Sequence, residues 1–76
     1  MKFRYYQETD SLYINLAKNT SSESIEVSPG VVVDYDSEGD IVGIDIDQAS
    51  KKVDMTSFET DSLPFDNVSF KNQDDA

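Results

Sequence analysis

The 76-residue sequence contains no cysteine and no histidine. Without cysteine there are no disulfides, thiolate nucleophiles, thiolate zinc sites or cysteine-held iron–sulfur clusters, and without histidine the commonest general base and transition-metal ligand is missing. Basic residues are scarce as well: six Lys and Arg stand against sixteen Asp and Glu, a formal charge of −10. Such a chain repels phosphate, so nucleic acid and anionic membrane surfaces are excluded as expected partners. No apolar run approaches the roughly 18–20 residues that cross a bilayer, and the N-terminus lacks the charged, apolar and small-residue order of an export signal. The expectation from these absences is a cytoplasmic protein that is not an enzyme and uses no cofactor.

What is present divides unevenly. Residues 1–53 hold 21 of the 28 apolar residues; beyond them lie only Met55, Phe58, Leu63, Phe65, Val68, Phe70 and Ala76, while each part carries −5. The expected division is a small domain over 1–53 followed by an acidic tail over 54–76, disordered or loosely docked. A body of about 53 residues buries roughly 3,000 Å² of apolar surface, worth about 75 kcal/mol, against an ordering cost of about 80 kcal/mol. With no staple to tip that balance, burial against a second copy or another protein is the expected remedy.

Residues Lys2 to Tyr6 and Leu12 to Leu16 alternate in strand fashion around a polar interruption, and read as an antiparallel hairpin. Lys18 to Ser24 is a polar connection. A brief strand follows at Ile25 to Val27, and Ser28-Pro29-Gly30-Val31 suits a type II turn with a bend or bulge. Val31 to Asp36 and Ile41 to Ile46 flank Ser37-Glu38-Gly39-Asp40 as a second hairpin. This phase puts Phe3, Tyr5, Leu12, Ile14, Leu16, Val33, Tyr35, Val42, Ile44 and Ile46 on the core face. Asp47 is placed to N-cap a short helix over Gln48 to Val53, with Lys51 and Lys52 toward its negative end. The predicted fold is α+β: two β-hairpins forming one antiparallel sheet of about four strands, then a short C-terminal helix packed on one face.

The sharpest local pattern is Asp34, Asp36, Glu38, Gly39, Asp40 and Asp45, which nearly reproduces a calcium-binding EF-hand loop. The true motif is flanked by helices, whereas this one lies between strand-like runs and ends in Asp rather than the longer Glu. A solvated acidic turn is the favoured reading, and a weak divalent-cation-binding hairpin using Asp34, Asp36, Glu38 and Asp40 is the alternative. Tyr6, Tyr13, Val32, Ile41 and Gly43 fall on the other sheet face, where Gly43 leaves room for a ring. They serve equally well as a second interaction patch or as cross-strand pairs that stabilise the sheet. Phe58, Phe65 and Phe70 give the tail aromatics with which to dock on a basic partner, although a solubilising tail explains it as well.

Paired carboxylates need a cleft to exclude water and position substrate, and so small a body has little room for one. There is no nucleophile elbow, glycine-rich phosphate loop or Ser-x-x-Lys arrangement. No residue is therefore assigned a catalytic, cofactor-binding or metal-ligating role.

Several segments recur in an ordered pattern: Tyr5-Tyr6, Asp10-Ser11-Leu12-Tyr13-Ile14, Ile25-Glu26-Val27, Gly30-Val31-Val32-Val33-Asp34-Tyr35-Asp36, Gly39-Asp40-Ile41-Val42-Gly43-Ile44 and Asp47-Gln48-Ala49-Ser50. Over about residues 3–53 this resembles the small prokaryotic proteins of domain-of-unknown-function family 2283. Gln7-Glu8, Asp45 and Gln48 depart from the usual pattern, and the tail after Val53 lies outside it. The family has no established activity; the resemblance implies at most an antitoxin or protein-partner role. The expected function is a non-enzymatic protein-interaction module, a homodimer, with an antitoxin-like role drawn from the resemblance alone.

Overall fold

A computed structural model describes residues 1–71. Alternating apolar and polar side chains build five strands: β1 (Lys2–Tyr6), β2 (Ser11–Asn15), β3 (Glu23–Ser28), β4 (Val31–Tyr35) and β5 (Ile41–Ile46). They form one sheet in the order β1-β2-β5-β4-β3, and every neighbouring pair is antiparallel. The last strand in sequence thus lies in the middle and joins the β1–β2 hairpin to the β3–β4–β5 meander.

The antiparallel sheet and both expected hairpins are present, but among the described residues the sheet has five strands rather than about four. The segment expected as a brief strand at 25–27 is the six-residue β3, exposed along its whole length. Its Glu and Ser residues disguise it in the sequence, because an edge strand needs little apolar content on its open side. The turn into β4 is as expected: Gly30 has φ +77°, and the pairing slips between Glu26 and Ser28, a bulge that leaves Val27 without a partner.

The helix differs most from expectation. α1 (Ala49–Lys52) is a single turn of four residues, about 6 Å long, and cannot cover a five-stranded sheet about 19 Å wide. Asp47 does not cap it. Gln48 adopts a left-handed conformation at φ 51°, and the Asp47 carboxylate reaches only the adjacent Gln48 N–H. The cap comes instead from Asp10, in the β1–β2 turn. Its carbonyl accepts the Ala49 N–H at 2.8 Å, while its carboxylate accepts the Ser50 N–H at 3.1 Å and the Ser50 hydroxyl at 2.7 Å. On the other side the Asp47 N–H donates to the Gly30 carbonyl at 2.8 Å. Segment 47–50 therefore stitches the β1–β2 turn to the β3–β4 turn at one end of the sheet.

The core is correspondingly small. Leu12, Val33, Val42 and Ala49 are its buried apolar residues. Of the expected core positions, Tyr5, Ile14, Tyr35, Ile44 and Ile46 are half-buried, whereas Phe3 and Leu16 are exposed. Residues 54–71 contain no strand or helix. Phe58 comes back to meet the Phe3 ring edge-on at 5.6 Å, and Phe70 meets Phe58 at 6.0 Å. The part of the expected tail over 72–76 lies outside the described residues.

On the opposite face Gly43 admits the Tyr13 ring. A Cβ at Gly43 would collide with the Tyr13 hydroxyl and lie 2.6 Å from its Cζ. Gly43→Ala is expected to lower stability in urea unfolding by about 1–3 kcal/mol. The double variant Gly43→Ala with Tyr13→Ser should lose less than the two single losses added together, because the clash exists only where ring and Cβ are both present.

Candidate functional site

The acidic hairpin turn is built around Asp36. Its Oδ1 accepts the backbone N–H groups of Glu38 at 2.9 Å and Asp40 at 3.0 Å, and its Oδ2 accepts the Asn19 amide at 2.8 Å. The chain closes beneath it, with the Asp36 N–H donating to the Asp40 carbonyl and the Gly39 N–H to the Asp36 carbonyl. This is an Asx-organised turn that uses a buried carboxylate in place of further backbone pairing. The donors, the Asn19 amide foremost, hold the Asp36 carboxyl below its ordinary value.

Asp36, Glu38 and Asp40 bring carboxylate oxygens within 4.8 Å of one another. The remaining two acids of the calcium-like pattern are elsewhere. Asp34 accepts the Tyr13 hydroxyl at 3.1 Å and the Ser24 hydroxyl at 2.6 Å, and Asp45 pairs across the strands with Tyr13 and Val32. The strand geometry carries Asp45 away from the turn, so the linear motif is not a single cluster in space.

The patch considered around Tyr13 is divided between two roles. Tyr13 is locked, its ring on Gly43 and its hydroxyl on Asp34, with burial first and the Asp34 bond second raising its pKa. Val32 is half-buried. Tyr6 and Ile41 remain exposed, and the Arg4 guanidinium carbon lies 5.7 Å from the Tyr6 ring centroid.

The most extended apolar feature is on the core face. Register aligns one residue from every strand into a continuous row, Phe3–Ile14–Ile44–Val33–Ile25. The middle is shielded, since Val33 is buried and Ile14 and Ile44 are half-buried, but the ends stay open: Phe3 is 48% and Ile25 44% exposed. Leu16 and Val27 are exposed too. The tail reaches the Phe3 end of the row through Phe58, itself 57% exposed, so that cover is thin.

Asp10 was not singled out by sequence reasoning, because every contact it makes with the helix spans about forty residues. The Tyr5 hydroxyl also donates to it at 2.9 Å. The available signal was the pairing of Tyr5 and Asp10 with Ala49-Ser50 in one ordered pattern; in space these residues form a single hydrogen-bonded knot. The Ser50 hydroxyl first, and the Tyr5 hydroxyl second, hold the Asp10 carboxyl below its ordinary value, while the same bond raises the Tyr5 phenol.

Among the described residues, no helix is long and apolar enough to cross a membrane. The profile of a family described as protein of unknown function (DUF2283) matches residues 2–50, which contain all five strands and the Asp10–Ser50 knot. No curated protein and no solved structure matches the chain.

The lowered carboxyls of Asp10 and Asp36 set an acid limit on stability. Their contribution is complete above the unfolded aspartate value of about 3.9 and is lost as the pH falls through the lower folded values. Asp10→Asn and Asp36→Asn are each expected to lower the melting temperature at neutral pH by about 4–8 °C. The gap to the unaltered chain should close as the pH is taken from about 5 to about 2. A gap that persists at the acid end would show that these hydrogen bonds do not depend on the ionised group.

Proposed function

The chain belongs to the DUF2283 family of proteins of unknown function, and we propose that it is a non-enzymatic protein-interaction module that pairs with a second copy of itself through the apolar face of its sheet. The observation that carries this reading is the five-strand apolar row with open ends, which a four-residue helix is too short to cover. Two such faces laid about 10 Å apart would make a sandwich and complete a core that each copy leaves thin. Pairing through the sheet edge draws less support, because β3 carries Glu23 and Glu26 and runs into Pro29, features that discourage strand addition.

A different protein is the other occupant this face suits. The −10 charge favours a basic one and argues against nucleic acid and anionic lipid. An antitoxin-like role, in which the acidic module covers a partner, is one form of this reading, and a cytoplasmic location accords with it. The divalent-cation alternative draws less support, since the Asp36 oxygens already accept three N–H donors. Calcium added to about 1 mM, the weak end of the range for calcium-binding modules, is expected to leave the Glu38 and Asp40 amides in place; their joint saturable movement would revive it.

Sedimentation equilibrium at low and high concentration tests the pairing. The full chain is expected to show a monomer–dimer equilibrium, and Phe3→Ser or Ile25→Ser should weaken it at least about tenfold. Both side chains are exposed in the single copy, so neither change removes the fold's own core. A strict monomer at high concentration would overturn self-pairing and leave the heterologous partner, to be sought by co-purification in gentle salt.

A further inference from the structure

The face of the sheet opposite the apolar row carries a shallow depression of about 400 Å³, lined by Tyr6, Thr9, Ser11, Tyr13 and Asp45. Register explains how these residues meet. Tyr6 pairs with Ser11, Tyr13 lies two positions further along β2, and Asp45 of β5 stands directly across from Tyr13. The two rings are thus diagonal neighbours, about 7–8 Å apart at their backbones, with a carboxylate on one flank and two hydroxyl-bearing residues on the other.

The walls differ in a useful way. Tyr13 is fixed by Gly43 below it and by Asp34, so this wall is pre-organised. Tyr6 is 43% exposed and has the guanidinium of Arg4 near its ring; Arg4 stands directly across from Tyr13 in the register, so it is the cation an incoming one must displace from between the rings. Of the two acids that adjoin Tyr13 on this side, Asp34 is engaged by Tyr13 and Ser24, whereas Asp45 stands exposed. A divalent metal would want six or more oxygens and finds one carboxylate here. A soft organic cation is held by aromatic rings and a nearby negative charge, and the depression is lined by two tyrosines and Asp45, the Tyr6 ring being shared with Arg4.

We propose that this depression is a binding site for an alkylammonium group, with its methylenes against the Tyr6 and Tyr13 rings and its head group toward Asp45. The net charge of −10 draws such a cation from solution, and the paired rings give it a place to rest. The site lies on the face away from the apolar row, so it stands whether or not two copies pair.

The test is a titration of the full chain, followed by amide shifts, with Nα-acetyl-lysine methylamide, its neutral Nε-acetylated form and putrescine. Saturable movement centred on Tyr6, Thr9, Ser11, Tyr13 and Asp45 is expected with the charged compounds, and none with the neutral one. The charged compound that saturates at lower concentration identifies the source as a lysine side chain or a free amine. Asp45→Asn should weaken binding about three- to fivefold, as loss of an exposed ion pair does, while Glu59→Gln, an equal loss of charge elsewhere, should not. Tyr6→Leu, at an exposed position that the fold does not need, should weaken it as well. Shifts spread over all the acidic residues and insensitive to both Asp45→Asn and Tyr6→Leu would overturn the site and leave only bulk attraction of cations.

Discussion

The hydrogen bonds that Asp10 makes to Ala49 and Ser50 fix where the helical turn sits, at one end of the sheet, and so how much of the apolar face is left uncovered. An isolated helical turn of four residues is unstable in water, because nucleation orders several residues for a single internal bond. It persists here because a carboxylate and a carbonyl from a distant turn satisfy its first two N–H groups, and because its first residue, Ala49, is wholly buried. The Asp10 carboxylate also holds the Tyr5 hydroxyl, so one ionised group ties the first strand, the first turn and the last element together. The Gly30 carbonyl completes the tie from the other hairpin.

That economy has a consequence for the sheet. A helix long enough to cover the apolar row would need several turns, whereas this one is spent on closing one end of the sheet. Among the described residues the buried apolar set is Leu12, Val33, Val42 and Ala49, and the outer positions Phe3 and Ile25 stay exposed. A half-covered β layer with an apolar face has few stable outcomes in water: another layer must come from elsewhere in the chain or from another molecule. The tail supplies a little, through Phe58 against Phe3, but an edge-on aromatic pair is worth only about 0.5–1.5 kcal/mol beyond its buried area.

Much of the fold was legible in the residues, and the failures share one cause. Alternation located β1, β2, β4 and β5, because each carries its apolar residues two apart and the period of a strand is two. The Ser-Pro-Gly turn was readable because its φ requirement is local, and Gly43 signalled a ring because only a missing Cβ lets one approach so closely. What local rules misjudged depends on distant partners. Asp47 has the right chemistry and position for an N-cap, yet Gln48 turns left-handed and the cap arrives from Asp10. The acids from Asp34 to Asp45 match a calcium loop in linear order, but extended strands carry Asp34 and Asp45 along the sheet, Asp34 to Tyr13, while Asp36, just past the end of β4, stays in the turn.

The same alternation explains why the two faces of the sheet differ so sharply. Along β4, Val33 joins the apolar row while Asp34 joins the network of Tyr13 and Ser24, and along β5, Ile44 and Asp45 divide in the same way. One face therefore lacks cover, and the other is held by polar bonds that span the strands. A change of register by a single residue would exchange these faces, place Asp34 and Asp45 against the apolar row and take Tyr13 off Gly43. The ring lodged over Gly43 opposes that slip sterically, and its bond to Asp34 opposes it electrostatically, so the polar face fixes the register on which the apolar face depends.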